Sequence, residues 1–173
     1  MPQATASVTL KGNPVTLTGN DVAIGQSAPD CTLVANDLSE FKLSSLKGKK
    51  VIIATVPSLD TGVCDTETKR FNKEATALGS DVVVLTISMD LPFAQKRWCG
   101  AAGVDRVKTL SDHREAAFGK AYGVLISGGP LTRVLTRAVF VVDAKGVLRY
   151  KQIVPEITTE PDYEKVLQAV KSL

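Results

Sequence analysis

Val51-Ile52-Ile53-Ala54-Thr55-Val56-Pro57-Ser58-Leu59-Asp60-Thr61-Gly62-Val63-Cys64 is the stretch on which the fold turns. Residues 51–56 are apolar or β-branched and read as a strand, Pro57 opens a turn, and a helical pattern begins near Val63. Cys64 therefore falls in the first turn of a helix. A helix start leaves backbone N–H groups without partners and carries a partial positive charge, and both favour a thiolate over a thiol. A cysteine so placed can act as a nucleophile at neutral pH. Free cysteine is also a common small apolar core residue, and this stretch alone leaves both readings open.

Downstream, the helix extends to about Leu78. Val63, Phe71, Ala75 and Leu78 form its inner face, while Asp65, Glu67, Lys69, Arg70, Lys73 and Glu74 are assigned to solvent. Gly79 ends it. Residues 81–88 form a nearly continuous apolar strand of the kind buried on both faces of a parallel sheet, so strand, helix and strand make one right-handed crossover unit. Asp90 is expected to cap a short helix with Pro92 in its first turn and Gly100 at its end, just after Trp98 and Cys99. A short strand at 107–110 and a short helix at 114–122 follow. Residues 123–136, with Gly128-Gly129-Pro130, form a loop long enough to suggest a function. Strands at 138–142 and 147–151 make a hairpin, and Pro161 opens a closing helix at 162–171.

Upstream, residues 8–10 and 15–17 alternate around Lys11-Gly12-Asn13-Pro14, which predicts an N-terminal β-hairpin beside the core. A second hairpin is expected around Asn36-Asp37, and residues 44–50 form a turn or one helical turn. The whole chain, 1–173, reads as a single α/β domain with a mixed central sheet flanked by helices.

At 173 residues with 44% hydrophobic and 23% charged residues, the composition is that of a globular protein able to bury its own core. The net charge is +3 and the basic residues are scattered among acids, so neither nucleic acid nor a membrane surface is an expected partner. No apolar run is long enough to cross a bilayer, and the N-terminus lacks the pattern of a secretory signal, so a cytoplasmic protein is expected. Three cysteines without a Cys-x-x-Cys pair suggest neither a disulfide framework nor a structural zinc site. No metal or cofactor is expected.

In open sheets of this kind the functional crevice lies beyond the carboxyl ends of the strands, where Cys64 stands. Thr61, three residues earlier, can present its hydroxyl near the sulfur, cap the helix, or do both. Pro57 closes the strand and can shield the sulfur, though taken by itself it reads as ordinary loop punctuation. Arg137 stands at the mouth of the apolar strand 138–142. Near a cysteine it would stabilise a thiolate and the charge of a leaving group; otherwise it is a solvated strand-end arginine. Cys99 ends a short helix flanked by proline and glycine, and pairing it with another cysteine requires Cα atoms within about 7 Å or local unwinding. His113 reads as a surface residue and Trp98 as a core anchor. A disulfide reductase of the thioredoxin type is disfavoured by the missing Cys-x-x-Cys. A non-enzymatic binding module would leave Cys64, Thr61 and Arg137 without purpose.

Pro57, Thr61 and Cys64 match the Pro-x-x-x-Thr-x-x-Cys signature, and with this match the chain resembles the peroxiredoxins. The longer segments Ser58-Leu59-Asp60-Thr61-Gly62-Val63-Cys64, Asp90-Leu91-Pro92-Phe93-Ala94-Gln95 and Glu156-Ile157-Thr158-Thr159-Glu160-Pro161-Asp162-Tyr163 resemble the bacterial thiol peroxidase subfamily of atypical two-cysteine enzymes. The resemblance implies a thioredoxin-like fold, a homodimer, Cys64 as peroxidatic and Cys99 as resolving cysteine, and an intrachain disulfide between them. It implies that Pro57, Thr61 and Arg137 complete the active site. The substrate would be hydrogen peroxide or an alkyl hydroperoxide and the reductant thioredoxin. Cys31 departs from the subfamily, which usually has an aromatic residue there, and is expected to be a buried thiol with no catalytic part.

Overall fold

The computed structural model describes residues 6–173; residues 1–5, where the stretch read for a secretory signal begins, lie outside it. The chain opens with β1 (Val8–Leu10) and β2 (Asn13–Val15), followed by β3 (Leu17–Thr18), β4 (Thr32–Val34) and β5 (Glu40–Lys42). One 3-10 turn, Leu43–Leu46, leads to β6 (Lys50–Thr55), α1 (Gly62–Leu78) and β7 (Val82–Ser88). Then come α2 (Pro92–Ala102), β8 (Val107–Ser111), α3 (Ala117–Ala121), β9 (Leu125–Ile126), β10 (Ala138–Val142), β11 (Leu148–Ile153) and α4 (Tyr163–Lys171).

Seven strands form one mixed sheet in the order β11-β10-β6-β7-β8-β4-β5. β6, β7 and β8 run parallel, with Val51 opposite Val83 and Val84 opposite Val107. β10 is antiparallel to β6, β11 to β10, and β4 to both β8 and β5. Because side chains alternate along a strand, each buried strand feeds two cores. Val51, Ile53, Leu85, Phe140 and Val142 pack on one face with Phe118 and Tyr122 of the α3 region, whose rings stack at 4.0 Å. Ile52, Ala54, Val84, Val139 and Val141 pack on the other face with Phe71, Trp98, Val166 and Val170. That second core, under α1, α2 and α4, contains Cys64.

Several expected boundaries move. The N-terminal turn is the two-residue Lys11-Gly12, both with positive φ (49° and 81°), and Asn13 and Pro14 belong to β2. That backbone matches the twist of the flanking strands, and proline is tolerated because β2 is an edge. Leu17 and Thr18 leave the hairpin to pair with β9, so the expected loop at 123–136 contains a strand. The hairpin also has a small core of its own, in which Val8 packs with Leu17, Ile126 and Ile157.

The helix expected at 114–122 is confined to Ala117–Ala121. α2 runs through Gly100 and ends at Gly103, whose left-handed φ of 66° returns a backbone N–H to the Cys99 carbonyl. Asp90 does not cap α2; its N-cap is Leu91. No helix among the described residues is long and apolar enough to cross a membrane.

Candidate active site

β6 ends at Thr55, and Val56 and Pro57 continue as buried backbone into the turn that opens α1. Asp90, just past the end of the neighbouring β7, holds this turn. Its carboxylate accepts hydrogen bonds from Ser58 Oγ at 2.7 Å, the Leu59 N–H at 2.9 Å and Ser88 Oγ at 2.7 Å. The residue expected to start a helix thus ties the turn before Cys64 to the adjacent strand, which is why it is unavailable as a cap.

Thr61 is the N-cap of α1 by position, but its side chain makes no capping bond. Its hydroxyl faces the Ser58 carbonyl at 2.9 Å and Cys64 Sγ at 2.7 Å. The hydroxyl hydrogen can go to the carbonyl or to the sulfur, and the hydroxyl oxygen accepts from no helix N–H, so of the two roles expected for Thr61 the structure shows the one at the sulfur. Cys64 is the third residue of α1, within the turn whose N–H groups have no intrahelical acceptor, and it is 0% exposed.

Arg137 is buried, not a solvated strand-end residue. Its Nε donates to the Ile157 carbonyl at 3.0 Å, Nη2 to Cys64 Sγ at 3.3 Å, and Nη1 to Glu67 Oε2 at 2.5 Å. Burial works against the guanidinium charge, but Glu67 and Cys64 outweigh it and hold the group more firmly protonated than usual. Ile157 belongs to the segment that carries part of the family resemblance. Its neighbour Glu156 accepts from Thr9 Oγ1 at 2.6 Å and from the N–H groups of Lys11 and Gly12, and these bonds hold its carboxyl far below the usual range. One segment therefore anchors both the N-terminal hairpin and Arg137.

The sequence pattern assigns Glu67 to the solvent side of α1, and the structure overturns that: the residue is 0% exposed. The buried positions of α1 are Cys64, Glu67, Thr68, Phe71 and Ala75, a helical stripe that begins at the cysteine. Spacing from Cys64 would have found Glu67; its charge hid it. Burial is the largest influence on its carboxyl and pushes it up to about 7 against the pull of Arg137. Oε1 has no hydrogen-bond partner among the described residues.

Cys99 lies apart from this cluster. Its Sγ is 3.3 Å from Thr109 Oγ1 on β8, and Thr109 in turn donates to Asn36 Oδ1 at 3.1 Å. Cys31, Cys64 and Cys99 are all free thiols. Trp98 is buried as expected, and its indole N–H donates to Asp65 Oδ1 at 3.1 Å. Cys31 is buried on the opposite face of the sheet, where burial pushes its thiol up to about 12 and keeps it protonated. His113 is half-buried and shares a hydrogen bond with Ser111 at 2.9 Å, away from Cys64. The structure thus brings together Cys64, Thr61 and Arg137, sets Pro57 in the supporting turn, and leaves Cys99 on the neighbouring helix.

The chemistry of this arrangement is that of an activated sulfur. Cys64 Sγ meets one hydroxyl and one guanidinium, both able to donate to an anion and neither able to act as a base. The redoxin family profile matches residues 23–167. A thiol peroxidase of Oceanobacillus iheyensis is 57% identical over 162 residues, covering 94% of this chain and 96% of that protein. One from Halalkalibacterium halodurans is 55% identical over 167 residues, covering 96% and 98%. Among solved structures, a peroxiredoxin-like protein from Aquifex aeolicus superposes with a TM-score of 0.92 at 46% identity, covering 99% of each chain. The fold is accordingly thioredoxin-like, and the chain belongs to the redoxin family and, within it, to the thiol peroxidases, peroxidases of the peroxiredoxin type.

Proposed function

We propose that this thiol-dependent peroxidase reduces hydrogen peroxide and alkyl hydroperoxides through a Cys64 sulfenic acid that Cys99 resolves. The observation that carries this reading is the convergence of Thr61 Oγ1 and Arg137 Nη2 on Cys64 Sγ. The Cys64 thiolate attacks one peroxide oxygen, the O–O bond breaks, and the departing oxygen leaves as water or an alcohol after taking up a proton. Arg137, Thr61 and the free N–H groups at the start of α1 stabilise the charge spreading over both oxygens. The Cys99 thiol then condenses with the sulfenic acid, forming the S–S bond and releasing water. The dithiol of thioredoxin reduces that disulfide by exchange. Pro57 fixes the turn and keeps water from the sulfur.

Cys99 must leave Thr109 to reach Cys64, so α2 unwinds at least locally during each cycle. A single domain over 1–173, cytoplasmic and active as a homodimer, fits this reading. The exposed Leu91 and Phe93 at the start of α2 support a second copy docking beside the site. Neither a metal nor a cofactor enters the scheme.

Peroxide consumption coupled to thioredoxin and its reductase tests the proposal. Cys99→Ser is expected to react with one equivalent of peroxide and then recycle poorly. Peptide mapping of the oxidised wild type should find Cys64 bonded to Cys99 within one chain. Full steady-state turnover by Cys99→Ser, or a bond between two chains, would remove this form of resolution.

A further inference from the structure

We propose that Glu67 holds the proton that Cys64 gives up, so that one proton is exchanged between a buried carboxyl and a buried thiol on either side of Arg137. The inference rests on Cys64 being the attacking sulfur and adds a positioning residue that acts on it through the guanidinium.

Arg137 contacts two groups able to carry negative charge, Glu67 Oε2 on Nη1 and Cys64 Sγ on Nη2. All three side chains are buried, with exposures of 2% for Arg137 and 0% for the other two. One cation balances one anion. Ionising both acids leaves an unpaired buried negative charge, which costs several kcal/mol even after relaxation. The two neutral arrangements are carboxylate with thiol and carboxylic acid with thiolate. The unpartnered Oε1 favours the acid, because an unsatisfied ionised oxygen costs more than an unsatisfied neutral one.

Of the other groups around Glu67, Glu160 acts in the same direction, Tyr163 stays neutral, and the Arg70 cation is paired with Glu74. Glu160, ahead of α4, adds negative charge and disfavours the carboxylate. Tyr163, at the start of α4, donates its hydroxyl to Glu160 at 2.7 Å, and burial keeps it protonated. Arg70 on α1 lies over the Tyr163 ring at 5.0 Å and pairs with Glu74 at 2.8 Å.

The proton balance closes without a co-reactant. The Cys64 thiol and Glu67 carboxylate become thiolate and carboxylic acid. Attack makes the neutral sulfenic acid and expels an alkoxide or hydroxide. That leaving group takes one proton, and Glu67 returns to carboxylate because oxidised Cys64 no longer competes for Arg137. Peroxide reduction then needs no net proton from bulk solvent up to the sulfenic acid.

Glu67→Gln tests this, since glutamine keeps the shape and an acceptor for Arg137 but can carry no charge. The thiolate absorbance of Cys64 is followed against pH in a Cys99→Ser background, where Cys31, pushed up to about 12, stays silent. Glu67→Gln is expected to leave the thiolate midpoint, and the pH profile of the single-turnover rate with hydrogen peroxide, within about half a unit of wild type, because neutral glutamine stands in for the neutral acid. A midpoint that falls by about one unit or more, tenfold in proton concentration, would mean that Glu67 is an ionised anchor competing with the thiolate for Arg137, and would overturn the proposal.

Infrared spectroscopy keeps the test available if Glu67→Gln folds poorly. Reduced wild type at neutral pH should show the carbonyl band of a protonated carboxyl that Cys64→Ser lacks, because serine leaves Glu67 as the sole anion on Arg137. A band that persists in Cys64→Ser also overturns the proposal. Peroxide turnover by Cys64→Ser would instead sink the reading of Cys64 on which the proposal rests, so the two failures are distinguishable.

Discussion

Cys64→Ser should bring peroxide consumption down to the uncatalysed background while far-UV circular dichroism and the unfolding midpoint stay close to wild type. The size of the effect follows from the neighbours of the sulfur. Serine hydroxyls act as nucleophiles when a base takes their proton, as histidine does in hydrolases. The groups in contact with Cys64 Sγ are the Thr61 hydroxyl and the Arg137 guanidinium, which donate and do not accept a proton at neutral pH. The site can stabilise an anion that ionises on its own, which a thiol does and an alcohol does not. Structurally the change is mild, because a buried serine oxygen inherits the same two partners at a cost of about 1 kcal/mol. Appreciable turnover by the serine variant, measured with excess peroxide and the full reductant system, would remove Cys64 from the reaction.

Arg137→Leu should damage both activity and stability, and the stability loss should depend on pH. Its guanidinium is the partner of Glu67 Oε2 and of Cys64 Sγ, and its Nε is bound to Ile157. Losing one aimed donor to a developing anion costs about 10²–10³ in rate, and leucine removes that donor together with its charge. Breaking a buried ion pair from one side costs about 3–5 kcal/mol while the remaining charge persists. Glu67 can escape that cost by binding a proton. Its carboxyl is already raised to about 7 with Arg137 present, and without Arg137 it rises further.

A folded carboxyl raised above its unfolded value binds more protons in the native state than in the unfolded one. The associated stability is therefore complete below the unfolded carboxyl range and drains away as pH rises through the folded value. Urea unfolding should accordingly show a modest loss for Arg137→Leu in acid and a larger one above neutrality. The double variant Arg137→Leu/Glu67→Leu should recover most of the alkaline loss. A deficit that is flat in pH would place the damage elsewhere than at Glu67.

Local features of this chain were legible from sequence, and features created by distant pairing were not. The strand at 51–56, the turn and α1 follow from neighbouring residues, so Cys64 could be placed in a first helical turn without a structure. Spacing puts Thr61 beside it, Arg137 stands out at the mouth of an apolar strand, and the family resemblance implies roles for both. Glu67 was lost because a glutamate on an amphipathic helix is usually solvated. What buries it is a guanidinium 70 positions later in sequence.

Asp90 misleads for a similar reason. It precedes a proline-led helix and looks like a cap, but Ser58 and the Leu59 N–H, 32 and 31 positions away, claim its carboxylate. The strand β9 inside the expected loop is two residues long and exists by pairing with Leu17 and Thr18, a contact no local periodicity announces.

The hydrogen bond between Trp98 and Asp65 turns the geometry into an optical reporter. Trp98 is the chain's one tryptophan. It precedes Cys99 in sequence, and its indole N–H is fixed to the residue that follows Cys64. On the proposed resolution of Cys64 by Cys99, the backbone next to Trp98 has to move, and the surroundings of the indole change with it. Intrinsic fluorescence should therefore step once per resolution event when peroxide is mixed with reduced enzyme, and that step should be missing in Cys99→Ser. The light emitted by a single side chain would then time the proposed movement of Cys99, with no label attached to the protein.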